Sequence, residues 1–115
     1  TPPWTVAFYE SEADGCPVRD FLDGLNEARR AKALAVIRLL EVEGPILPFP
    51  YSSQVRGKIR ELRAHYGKEH YRVLYYGTPD RAFILLHALV KRTVKLSDQD
   101  IAIAETRMRR HRGEK

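Results

Sequence analysis

Arginine, lysine and histidine recur inside three runs that otherwise read as strands, residues 58–64, 70–76 and 81–92. Strand interiors favour branched and aromatic side chains, so cations repeated there point to a sheet face that meets an anion. Side chains alternate across a strand, which places Ile59, Glu61 and Arg63 on one side and Lys58, Arg60 and Leu62 on the other. Arg72 lies between Tyr71 and Val73, while Lys91 shares a side with His87 and Leu89. If the open sides of these strands coincide, Arg63, Arg72 and Lys91 converge.

Such a trio suits a phosphodiester. Guanidinium matches phosphate oxygens in bidentate fashion, and preorganised cations stabilise the extra charge of a pentacoordinate transition state. The same residues also fit an ion pair, with Glu61 binding Arg63 or Arg72 across the strands, and both readings stay open. His87 sits among leucines, where a histidine is more often a satisfied core residue than a general base. His65 and His70 flank a turn and are expected in solvent. Tyr66, Tyr71, Tyr75 and Tyr76 have faces on which a base can stack, yet strand tyrosines pack sheets at least as often, and Tyr71 or Tyr75 is expected in the core.

The elements that must hold these residues follow from periodicity. Residues 4–10 alternate Trp4, Val6 and Phe8 against Thr5, Ala7 and Tyr9, which predicts a first strand. Pro17 suits the first position of a helix, and Val18, Phe21, Leu22 and Leu25 recur at helical spacing behind it. Asn26 caps a second helix to about Glu43, with Ala33, Leu34, Ile37 and Leu40 inward and Arg29, Arg30, Lys32 and Arg38 mostly outward. Gly44 and Pro45 end it, and residues 45–53, with three prolines, read as a loop.

Turn signals at Gly67 and Lys68 and at residues 77–80 join the three cationic strands into an antiparallel meander. Residues 83–90 are almost continuously apolar, which predicts a strand at the centre of the sheet, buried on both faces. Ser97 caps a last helix with Asp98 and Asp100 in its first turn. Arg107, Arg109, Arg110, His111 and Arg112 gather at its far end, where dipole compensation and a solvated face account for them more readily than contact with RNA. The order is β-α-α-β-β-β-α, an α+β fold with helices on one sheet face and the other face open.

Composition bounds the function classes. The chain has 115 residues, 43% of them hydrophobic, and a formal net charge of +5. That length supports a single domain over residues 1–115, and the charge favours a polyanionic partner. Cys16 is the only cysteine, so no internal disulfide forms, and no Cys/His cluster has zinc-ligand spacing. No apolar run approaches the roughly 20 residues of a membrane span, and no signal-peptide pattern opens the chain, which together suggest a cytoplasmic protein.

The motifs Glu61-Leu62-Arg63, Tyr71-Arg72-Val73-Leu74-Tyr75 and His87-Ala88-Leu89-Val90-Lys91-Arg92-Thr93, followed by a capped helix, resemble the phage-derived Gp49-like branch of HigB toxins in the RelE/ParE superfamily. The resemblance implies the toxin of a type II toxin–antitoxin pair. It would cleave translated mRNA in the ribosomal A site, without metal or other cofactor, by attack of the ribose 2′-OH on the adjacent phosphate. The implied partners are a HigA-like helix-turn-helix antitoxin, the ribosome and mRNA, with no membrane.

By the same resemblance Arg63, Arg72 and Lys91 are the expected electrostatic catalysts, with Lys95 or His87 as proton carrier. Lys58, Arg60, Arg92, Arg107 and Arg110 are expected to meet RNA or the ribosome. The chain lacks the C-terminal Asp-Tyr-His type cluster of some HigB relatives. Two other functions share the fold: a ParE-like inhibitor of DNA gyrase, which has no need of converging strand cations, and an inactive antitoxin-binding relative.

Overall fold

The computed structural model describes residues 4–91 and 95–113. Strand β1 (Thr5–Phe8) leads to helix α1 (Pro17–Asp23) and helix α2 (Glu27–Glu43), and a single 3-10 turn (Gly44–Ile46) follows. Strands β2 (Ser52–Arg56), β3 (Ile59–Tyr66), β4 (Glu69–Gly77) and β5 (Ala82–Lys91) precede helix α3 (Asp98–His111). The five strands form one sheet in the order β1-β5-β4-β3-β2. The α+β class and the expected succession of elements hold, with β2 as an added strand.

Local chemistry sets the boundaries. Pro17 starts α1 at a position where a missing N–H costs nothing. The Asn26 side chain accepts a hydrogen bond from the Arg29 N–H at 2.9 Å and so caps α2. Gly44 ends α2 with φ 65° and ψ −142°, a conformation that side chains disfavour, and a Cβ there would lie 2.3 Å from Trp4 Nε1. Ser97 caps α3 by accepting from the Asp100 N–H at 3.1 Å.

Three features differ from the sequence reading. First, residues 52–56 pair antiparallel with β3 instead of looping, and a turn at Gly57 and Lys58 joins the two strands. Second, the central strand is β4; β5 lies beside it and pairs parallel with β1, from Thr5 opposite Ala82 to Phe8 opposite Leu85. Third, the helices do not share a face. Alpha-helices α1 and α2 bury Val18, Leu22, Ala33, Val36, Ile37 and Leu40 against Leu62, Val73, Tyr75, Phe83 and Leu85. On the opposite face, Ala104 and Met108 of α3 pack on Ile59, Leu74, Tyr76, Ile84 and Leu86. In α2 it is Val36 that faces inward, while Leu34 is exposed.

A bulge in β5 bears directly on the site. Tyr75 pairs with Leu85 and Leu74 with His87, so Leu86 is an extra residue and both Leu86 and His87 turn toward α3. Among the described residues, no helix is long and apolar enough to cross a membrane.

Candidate functional site

The β3–β4 hairpin brings the candidate residues together. Arg63 is paired with Arg72, His65 with His70, and Glu61 with Leu74 in the antiparallel register. Alternation places Glu61, Arg63, His65, His70 and Arg72 on the α3 side of the sheet, and β5 adds Lys91 directly opposite His70. Helix α3 covers only part of this face. Beyond it runs a groove of about 360 Å³ lined by Pro50, Tyr51, Arg63, Ala64, His65, His70 and Arg72.

Charge organises the floor of the groove. Glu61 is 7% exposed and Arg72 3%, so both are taken out of water. Arg72 Nε lies 3.4 Å from Glu61 Oε1, and Arg63 Nη1 donates to Glu61 Oε2 at 3.3 Å. Glu61 Oε1 makes no hydrogen bond among the described residues and is held by charge alone. Arg72 also donates from Nη1 to the Tyr71 carbonyl at 3.1 Å. Burial, then the nearby Arg63, draws the Arg72 guanidinium below its ordinary basicity, against the pull of Glu61. Two cations around one carboxylate leave an excess positive charge at the groove.

Arg63 is the cation that reaches the surface. Its strand position is fixed by a backbone N–H bond to the Tyr51 carbonyl at 2.9 Å, and its side chain retains 25% exposure. The guanidinium carbon lies 5.1 Å from the centre of the Phe49 ring, itself 69% exposed. Its hydrogen bond to Glu61 uses one of the five N–H donors of the guanidinium. The ion-pair reading therefore holds, with Arg72 as the buried member and Arg63 as the more exposed one.

His87 is bound at both ring nitrogens. Its Nε2 lies 2.8 Å from Asp100 Oδ1, and Arg107 Nη1 lies 3.3 Å from its Nδ1. A guanidinium only donates, so Nδ1 is the acceptor and Nε2–H donates to Asp100. Both ring nitrogens of His87, the expected proton carrier, are thus engaged between β5 and α3. Burial raises the pKa of Asp100, but hydrogen bonds from Ser97 and His87, together with the charge of Lys91, bring the net result below its ordinary value.

The remaining expected residues scatter. Arg60 points to the α1/α2 side, where it donates to Ser52 Oγ at 3.1 Å and Gln54 Oε1 at 3.3 Å, so the sheet separates it from Arg63. Arg107 turns inward and donates to the Leu86 carbonyl at 2.9 Å. Arg110 binds Asp14 at 2.8 Å. Lys58 is exposed in the β2–β3 turn, and Lys95 is exposed ahead of α3. Arg92 lies outside the described residues. Tyr71 and Tyr75 are both core residues, on the face of α1 and α2.

The sequence reading left His65 and His70 in solvent, and His65 is exposed and His70 half-buried; what it did not state is that they share a face with Arg63 and Arg72. Their ring centroids are 6.5 Å apart at the groove. The signal was present: a strand period of two puts His65 on the side of Glu61 and Arg63, and His70 on the side of Arg72, across a short glycine turn.

Asp14 fastens the loop after β1 to α3, and this contact is testable. The Tyr9 hydroxyl donates to Asp14 Oδ2 at 2.8 Å and holds the carboxyl below its ordinary value of 3.8; burial opposes, and the charges of Arg107 and Arg110 assist. A depressed native pKa contributes stability that is present above the unfolded value and lost as pH falls through the native one. Asp14→Asn is therefore expected to be less stable than the parent at neutral pH. In urea titrations the two are expected to draw together as pH falls below 3.8.

Comparison with known proteins agrees with this architecture. The solved structure titled "Crystal structure of archaeal RelE-RelB complex from Pyrococcus horikoshii OT3" is similar with a TM-score of 0.51 and 22% identity, covering 80% of this chain and 98% of that one. At that identity the likeness concerns the fold. No curated protein matches the chain significantly. The family model described as "Phage derived protein Gp49-like (DUF891)" matches residues 20–109, most of α1 through α3, and the chain belongs to that family.

Proposed function

We propose that this chain is the toxin of a type II toxin–antitoxin pair and a metal-independent endoribonuclease that cleaves translated mRNA on the ribosome. The reading rests on one observation: Arg63, Arg72, His65 and His70 line a single groove edged by Tyr51. A phosphodiester carries one negative charge, which the excess positive charge around Glu61 complements. Tyr51 is 45% exposed and Phe49 more so, and they offer faces for the flanking bases. The RelE fold and membership of the Gp49-like family support a toxin of this kind, acting in the cytoplasm with a helix-turn-helix antitoxin of the HigA type as its partner.

In this reading Arg63 contacts the scissile phosphate, and Arg72 acts through Glu61 to hold Arg63 in place. Lys91 adds positive potential from β5. Lys58 and Lys95, both exposed, belong to the docking surface. Primer extension on a message incubated with and without ribosomes tests the activity. Strand breaks that depend on translation are the expected result. No cleavage in either condition, together with gyrase-dependent DNA breaks, would favour a ParE-like inhibitor and overturn the nuclease. Docking is expected to weaken steeply with salt, because each phosphate neutralised releases counterions.

A further inference from the structure

We infer that His65 and His70 are the proton-transfer pair of this groove, an assignment that rests on the nuclease reading above and names the groups that would move its protons. Cleavage by a 2′-OH needs two proton transfers, and arginine performs neither because it stays protonated. His87, the histidine in the apolar run, has both ring nitrogens engaged. Imidazole is the side chain whose ordinary pKa lets it give and take protons near neutrality. His65 and His70 supply two imidazoles, cross-strand neighbours with centroids 6.5 Å apart, in the same groove as Arg63 and Arg72.

The step balances without water or metal. One imidazole takes the proton from the 2′-OH as the O2′–P bond forms. The other, entering as imidazolium, gives its proton to O5′ as the P–O5′ bond breaks. The products are a 2′,3′-cyclic phosphate and a 5′-hydroxyl, and solvent exchange restores the two rings. The charged groups that face this pair among the described residues are Arg63 on β3, Arg72 on β4 and Lys91 on β5, with Glu61 beneath the arginines. The cations stabilise the phosphorane, and the histidines are left to handle protons.

His65→Ala and His70→Ala, assayed on translated mRNA under single-turnover conditions, are each expected to slow cleavage about 10²- to 10⁴-fold, the usual worth of general acid–base catalysis. Each is expected to abolish one limb of the bell-shaped pH–rate profile of the parent, an effect that loss of structure alone does not produce. His65→Gln and His70→Gln guard against misfolding and are expected to bind ribosomes as the parent does. A message with a bridging sulfur in place of O5′ has a leaving group that needs no acid. It is expected to restore one alanine variant and not the other, and the restored one lacks the acid.

Parent-like rates and profiles in both alanine variants would overturn the pair while leaving the nuclease reading intact. Restoration of both variants, or of neither, would also overturn it. A parent chain that cleaves nothing with ribosomes present would remove the nuclease reading and the pair together.

Discussion

Arg63→Ala is expected to slow cleavage of a translated message about 10²- to 10³-fold, the usual consequence of removing one donor aimed at developing charge. Arg63 is the groove cation that combines exposure with a fixed origin: its backbone is held by Tyr51, and its side chain lies between Glu61 and Phe49. Glu61 keeps Arg72 as a partner when Arg63 is shortened, so folding is expected to change little. Arg63→Lys keeps the charge and loses the fork, and an intermediate rate is expected. The readout is the single-turnover rate by primer extension, beside calorimetric affinity for the antitoxin as a control for folding. A parent-like rate for Arg63→Ala would remove Arg63 from the chemistry.

Arg72→Leu carries the largest expected cost in stability, about 3–5 kcal/mol, because it leaves Glu61 buried with a weaker share of compensating charge. Arg72 is almost fully enclosed, with its Nε 3.4 Å from Glu61 Oε1. Removing both charges differs from removing one. The pair Glu61→Gln with Arg72→Leu is expected to recover much of the loss, since an uncharged replacement of a buried ion pair is often near neutral. Urea unfolding of the parent, both single variants and the double variant closes a cycle whose coupling energy measures the pair. Additive losses would show that Glu61 and Arg72 do not act together.

The contrast between these arginines explains what was legible in the sequence. Alternation placed Glu61 and Arg63 on one face, and the register of β3 and β4 adds Arg72 to it. It could not say that α3 would cover part of that face. A helix pattern reports an apolar stripe, while the side of the sheet it seeks depends on the connection and on the apolar residues left uncovered, here Ile59, Leu74, Tyr76, Ile84 and Leu86.

Beta-strand β2 escaped notice for a different reason. Ser52, Ser53 and Gln54 carry no apolar alternation, and an edge strand needs none when backbone pairing and a Ser52–Tyr75 hydroxyl contact of 2.7 Å hold it. The basic tail shows the opposite case, cations whose partners lie elsewhere in the fold. Arg107 and Arg110 looked available by composition, but their guanidinium groups serve His87 and Asp14. Charge counts the cations in a segment and says nothing of which are already engaged.

The parallel pairing of β1 with β5 has a consequence for biosynthesis. Chains leave the ribosome N-terminus first, so Thr5–Phe8 emerges long before Ala82 and its neighbours, the residues it pairs with. Alpha-helices α1 and α2 wait as well, because the leucines and valines they bury rest on strands made later. A nascent chain therefore carries an unsatisfied apolar stripe until those later strands are made, and the sheet closes only after β5 is free of the exit tunnel. Maturation waits on β5, and a protein read as attacking translation gains its finished form only after that strand has been made and released.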